Sequence, residues 1–155
     1  MDKTTTLQSL SDAKKAHVKW VQHAKLLIEG LAIDEGAIPL SCTDCRFGEW
    51  FYSEGQKLSA LGNMSCLDDI EKAHFTLHDE YMHIFKIYFT DTDRSFFSKL
   101  FNSKKKVTEK EHEKAKEHFI KLQAASEEVL DHIGRLERRL YAIPQSSFDT
   151  NATGI

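Results

Sequence analysis

Apolar residues return every three to four positions along most of this chain, and the breaks in that rhythm divide it into segments. From Leu7 to about Gly30, Leu10, Ala13, Ala16, Trp20, Ala24, Leu27 and Ile28 share one helical face, with His17 among them. AIDEGAIPLSCTD, with Gly36 and Pro39, reads as a connection. A short helix is predicted from Cys45 to Glu54, capped by Thr43 or Asp44 and closed by Gly55. QKLSALGNM reads as a linker. A long helix follows from Ser65 to Tyr88, carrying Leu67, Ile70, Ala73, Leu77, Tyr81 and Phe85 on one face. The rhythm fails in TDTDRSFFSKLFNSKKK, where Phe96, Phe97, Leu100 and Phe101 predict a short amphipathic turn. The last helix opens on a capping box, Thr108 with Glu111, and runs to about Tyr141, ahead of Pro144. Its seam of Ala115, Phe119, Leu122, Ser126, Val129, Ile133, Leu136 and Leu140 alternates steps of four and three.

These segments predict an all-α protein: an antiparallel four-helix bundle with an additional short helix that carries the cysteine motif. One domain is expected over residues 1–143, with a polar, disordered tail over 144–155. The last seam is longer than a small bundle needs, and a second copy of the chain is its simplest further occupant.

Composition narrows the function classes. Two prolines and seven glycines in 155 residues leave little to interrupt helices. A net charge of −3 with both signs interspersed gives no footprint for nucleic acid. No apolar run approaches the ~18 residues of a membrane span, and MDKTTTLQSLSD lacks the apolar core of a signal peptide. The expected location is cytoplasmic. Three cysteines are an odd number for a disulfide framework, so the thiols are inert, metal-ligating or redox-active.

The histidines change the picture. His74 and His78 stand four apart, so one helical face aims both imidazoles at one point. His17 lies on the apolar face of the first helix, and Cys45 opens the aromatic helix CRFGEWFYSEG. Singly, a buried histidine satisfied by a carbonyl and a cysteine packed as a small hydrophobe are ordinary core residues. Together, three imidazoles and one thiolate suit tetrahedral zinc, and the soft sulfur disfavours magnesium and calcium. The helix N-terminus favours the thiolate. Phe47, Trp50 and Phe51 are expected to wedge the short helix on the bundle, and Gly48 to let another helix approach.

The stretches AHVKW, CRFGEW and AHFTLH resemble the three motifs of the chemoreceptor zinc-binding (CZB) family of bacterial chemoreceptors and diguanylate cyclases. Cys45, Phe47, Gly48 and Trp50 match its Cys-x-Phe-Gly-x-Trp signature, His17 its first-helix histidine, and His74 and His78 its His-x-x-x-His. The resemblance covers residues 7 to 90, and the last helix by pattern only. It implies one Zn2+ per chain held by His17, Cys45, His74 and His78, a homodimer, and a regulatory role sensing zinc or oxidants for a chemotaxis or cyclic-di-GMP partner. Neither a receptor signalling hairpin nor a cyclase domain occurs in this sequence, so the output is expected from a partner or from a longer chain.

Other residues are assigned less chemistry. Cys42 forms Cys-x-x-Cys with Cys45, a possible cysteine pair for zinc or a redox dithiol, but only Cys45 opens the aromatic motif. His83, five after His78, is rotated off the shared face. Cys66 is expected to be inert, and His112, His118 and His132 solvated. Asp91–Asp93 lack the rest of a calcium loop. No nucleophile elbow, phosphate loop or dinucleotide fingerprint is present, so no enzymatic activity is expected. The alternative is a di-iron carboxylate bundle, for which Glu71 with His74 and Glu109 with His112 supply Glu-x-x-His pairs. It explains neither Cys45 nor the aromatic motif.

Overall fold

The computed structural model describes residues 2–89 and 106–152. The amphipathic turn expected around Phe96–Phe101, the Asp91–Asp93 stretch and Lys104–Lys105 lie outside these residues. Helix α1 spans Lys3–Ile28, α2 Arg46–Ser53, α3 Cys66–Phe89, α4 Glu109–Ala142 and α5 Gln145–Ala152, with 3-10 segments at Glu35–Ala37 and Gly55–Leu61. No strand occurs among the described residues.

Local chemistry sets the helix ends. Asp2 caps α1 by accepting from the Thr5 amide at 2.8 Å. At α4 the expected capping box is complete: Glu111 N–H donates to Thr108 Oγ1 at 3.2 Å, and Thr108 N–H donates to Glu111 Oε2 at 2.9 Å.

Cross-helix contacts fix the directions. Lys3 Nζ donates to the Ile143 carbonyl and Lys14 pairs with Glu137, so α1 and α4 run antiparallel. Tyr88 meets His112 and Glu80 meets His118, so α3 and α4 do as well. α1 and α3 are therefore parallel, and Trp20 of α1 packs on His78 and Tyr81 of α3. A parallel pair requires its connection to travel back along the bundle, about 36 Å for a helix of α3's length. Residues 29–65 make that return and carry α2 on the way. Phe47, Phe51 and Leu58 from this leg join Leu10, Ile70 and Ile133 of the three long helices in one core cluster. The all-α bundle thus has its fourth side built from α2 and the 3-10 segment rather than from a fourth long helix.

The α4 seam is buried within the chain: Ala115, Leu122, Ser126, Val129, Ile133, Leu136 and Leu140, with Phe119 partly so. Packing against both α1 and α3 uses its whole length, so the seam does not itself require a second copy. The disordered tail expected from Gln145 is also replaced over 145–152 by α5, whose Phe148 is fully buried in the cluster that holds Leu58.

The core falls into two halves. One contains Leu10, Ala13, Ile70, Ala73 and Val129; the other Trp20, Ala24, Leu77, Tyr81, Leu122 and Ala125. The buried polar residues His17, His74 and Ser126 lie in sequence between these groups, on α1, α3 and α4 respectively. A polar layer therefore crosses the waist of the bundle.

Candidate metal centre

Three elements deliver side chains to this waist. His17, from α1, is 4 % exposed, and His74 and His78, from α3, are 1 % and 4 % exposed. Cys45 arrives from the return leg, half-buried. One ligand atom each from His17, Cys45 and His74 lies within 4.8 Å of the others, the only such grouping of metal-ligating side chains among the described residues. Cys45 Sγ is 3.3 Å from His74 Nε2. His78 stands beside this trio: its ring centroid is 4.7 Å from that of His74, and Trp20 covers it at 4.5 Å.

Backbone carbonyls set the imidazole tautomers. His17 Nδ1 is 2.7 Å from the Ala13 carbonyl, and His78 Nδ1 is 3.2 Å from the Leu40 carbonyl. A carbonyl only accepts, so each Nδ1 carries the proton and each Nε2 keeps its lone pair. That is how metal-binding histidines are oriented. His78 Nε2 and His74 Nδ1 are buried without a hydrogen-bond partner. Such an orphaned polar atom costs about 1–3 kcal/mol.

Burial also sets the charge states. It depresses the pKa of His17, takes His74 down to about 3 with help from His78 and His17, and takes His78 down to about 4. All three imidazoles are neutral at pH 7, the form that ligates. The Cys45 thiol is pushed up by burial, against amide hydrogen bonds from Gly48 and Phe47 that pull it down. The expectation of a thiolate favoured by the helix end is therefore corrected for the metal-free protein: desolvation outweighs the helix terminus, and the proton leaves only when a cation takes its place.

Cys45 is itself the N-cap of α2, accepting from the Gly48 amide at 3.2 Å, so the caps expected at Thr43 or Asp44 do not form. A soft sulfur does the work normally given to an oxygen. Gly48 admits not a helix but the preceding turn: a Cβ there would sit 1.8 Å from the Cys42 carbonyl oxygen. The same carbonyl lies 3.6 Å from Cys45 Sγ. Phe47 and Phe51 are the buried wedge, while Trp50 packs only partly against the core. The glycine signal was legible in the sequence; the identity of the group pressed against it was not.

The donor set suits zinc: neutral imidazoles whose free nitrogens converge, one soft sulfur, and no carboxylate in the grouping. Residues 17–85 match the family model of the chemoreceptor zinc-binding domain. This segment is a CZB domain. The matched stretch begins at His17 and ends at Phe85, so it spans all four candidate ligands, α2 and most of α3. The chain matches no curated protein and no solved structure.

The chain's other histidines lie elsewhere. His83 is exposed and stacks on His118 with centroids 4.5 Å apart. His118, expected in solvent, is instead nearly buried against Glu80, with Nδ1 2.6 Å from Oε2. His112 meets the Tyr88 hydroxyl at 3.2 Å, and His132 Nδ1 is buried without a partner. The Glu-x-x-His pairs of the di-iron alternative do not converge: His74 belongs to the waist and His112 to the α3–α4 surface. Cys66 is buried and free, and Cys42 half-buried and free.

Proposed function

We propose that this chain is a non-catalytic zinc-binding regulatory protein. In this reading His17, Cys45, His74 and His78 hold one zinc ion per chain, and a homodimer acts on a chemotaxis or cyclic-di-GMP signalling partner. The observation that carries the metal reading is the buried convergence of His17, Cys45 and His74 within 4.8 Å. The orphaned Nε2 of His78 supports it as the fourth donor. The regulatory role, the partner and the dimer follow from the family alone.

When bound, zinc would supply a cross-link among the three elements. The chain's own part is to prepare it. α3 presets the spacing of two imidazoles, carbonyls of Ala13 and Leu40 fix two tautomers, and the Gly48 amide orients the sulfur. Because the ligands come from separate segments, occupancy bears on how the return leg sits on the bundle, which gives a partner its handle.

Elemental analysis of purified protein is expected to give about one zinc per chain. The Cys45→Ala protein is expected to lose it, and full zinc in that variant would defeat the assignment. For the regulatory part, affinity capture with and without chelator should recover a signalling protein whose retention depends on the metal.

A further inference from the structure

Beside the metal centre is a cleft of about 260 Å³ between α1 and residues 37–47. Its walls are mainly apolar: Ala16 and Trp20 from α1, Ala37 and Pro39 from the connection, and Phe47 from α2. His17, Cys45 and His78 also line it. The volume lies below the ~300–1,000 Å³ of pockets for drug-sized molecules, so an occupant would be small.

Among the described residues, the charged side chains lining this apolar cleft are of one sign. Lys19 and Arg46 both contribute to it, together with His23. Neither Lys19 nor Arg46 has a hydrogen-bond or ion-pair partner among the described residues. Among the described side chains no carboxylate lines the cleft, although Asp44 and Glu49 are close enough for their charges to reach His78 and Cys45. Elsewhere on the surface Lys15 pairs with Asp12 and Lys25 with Glu29. Two cations on the rim of apolar walls have a chemical meaning: an apolar body is desolvated by Trp20 and Phe47 while an anionic head is met by Lys19 and Arg46.

We propose that this cleft is a binding site for a small amphipathic monocarboxylate, with its apolar part against Trp20 and Phe47 and its carboxylate on Lys19 and Arg46. The head faces the cations rather than the metal, so binding does not depend on zinc, and the proposal stands apart from the metal reading. Arg46 is the first residue of α2, directly after Cys45, so an occupant bridges α1 and the segment that carries the thiol.

Calorimetric titration of the full chain, zinc-loaded and chelated, tests this with three probes: 4-phenylbutyrate, 4-phenylbutylamine and sulfate. Saturable binding of 4-phenylbutyrate is expected in both metal states, with the amine and sulfate at least about tenfold weaker. The Lys19→Glu/Arg46→Glu double variant should weaken the carboxylate by about tenfold or more. Ala16→Phe, on an exposed position of α1, should fill the cleft and abolish binding while leaving thermal unfolding unchanged. Equal binding of amine and carboxylate would overturn the proposal, as would binding that survives charge reversal. Carboxylate binding only in the zinc-loaded protein would mean direct ligation to the metal and also overturn it. Absence of saturable binding by 4-phenylbutyrate in both states would end it outright.

Discussion

The molecule has two histidine clusters, and α3 contributes to both. At the waist, His74 and His78 join His17 and Cys45; toward the C-terminal end of α3, His83 meets His118 from α4. In sequence the α3 histidines form one run, His74-x-x-x-His78 followed five residues on by His83. Their surroundings differ. The surface pair has carboxylates to hand, Asp79 at 3.7 Å from His83 and Glu80 at 2.6 Å from His118. The waist has no carboxylate in its grouping, and two of its ring nitrogens are buried without a partner. A protein rarely leaves such atoms unpaired, so the waist is incomplete without a cation while the surface pair is complete as it stands.

That contrast breaks most directly at the metal. Replacing His78 by Ala should lower zinc affinity by at least about a hundredfold, because it removes the proposed fourth donor. Replacing His83 by Ala should leave zinc affinity within error. Competition with a chromogenic chelator reads both. Comparable losses in the two variants would mean that burial does not distinguish the clusters.

The second test concerns support rather than ligation. A Cβ on Gly48 would lie 1.8 Å from the Cys42 carbonyl oxygen and 2.9 Å from its carbon, both backbone atoms that cannot swing aside. Gly48→Ala should therefore displace the turn that seats Cys45, lowering zinc affinity by about ten- to a hundredfold, the range for lost supporting contacts. Overpacking should also cost about 1–3 kcal/mol of stability. Wild-type zinc affinity in this variant would show that the turn is not what positions the sulfur.

The third test uses acid on chelated protein. His17, His74 and His78 have folded-state pKa values below the ordinary 6.5, at about 3 for His74 and about 4 for His78, mainly through desolvation. The unfolded chain therefore takes up protons first. This contribution is fully present above about pH 6.5 and is lost as pH falls toward 4 and 3. Urea midpoints of the chelated protein should drop between about pH 7 and pH 5, and His74→Leu should flatten that slope. An unchanged slope in His74→Leu would place the acid sensitivity elsewhere.

The sequence made some of this legible and hid the rest for identifiable reasons. The capping box at Thr108, the apolar faces of α1 and α3 and the cysteine motif are local, and local chemistry was enough to read them. The α4 seam was legible as apolar, but periodicity does not say whether one neighbour or two will cover it; α1 and α3 both do. The tail was misread because Gln145–Ala152 is polar except for Phe148, and a single aromatic can anchor a short helix when a pocket beside Leu58 awaits it. The carbonyls of Leu40 and Cys42 come from a connection whose composition says only that it is irregular. His118 looked solvated because its partner, Glu80, lies 38 residues away on another helix.

That last pair supplies the smallest expected effect and the sharpest control. The side chains of His118 and Glu80 are 12 % and 14 % exposed, so the interaction is shielded more than an ordinary surface ion pair. Removing the imidazole leaves the Glu80 carboxylate near water and able to rehydrate, which limits the penalty; His118→Ala should cost about 1 kcal/mol. Zinc binding should not change, because the pair lies outside the waist and shares no ligand with it. Combining His118→Ala with His74→Ala should then give additive changes in stability, as expected of sites without common partners. Double-mutant denaturation of the chelated protein measures this. A coupling well above about 0.5 kcal/mol would mean that α3 transmits strain between the clusters and that they are one network rather than two.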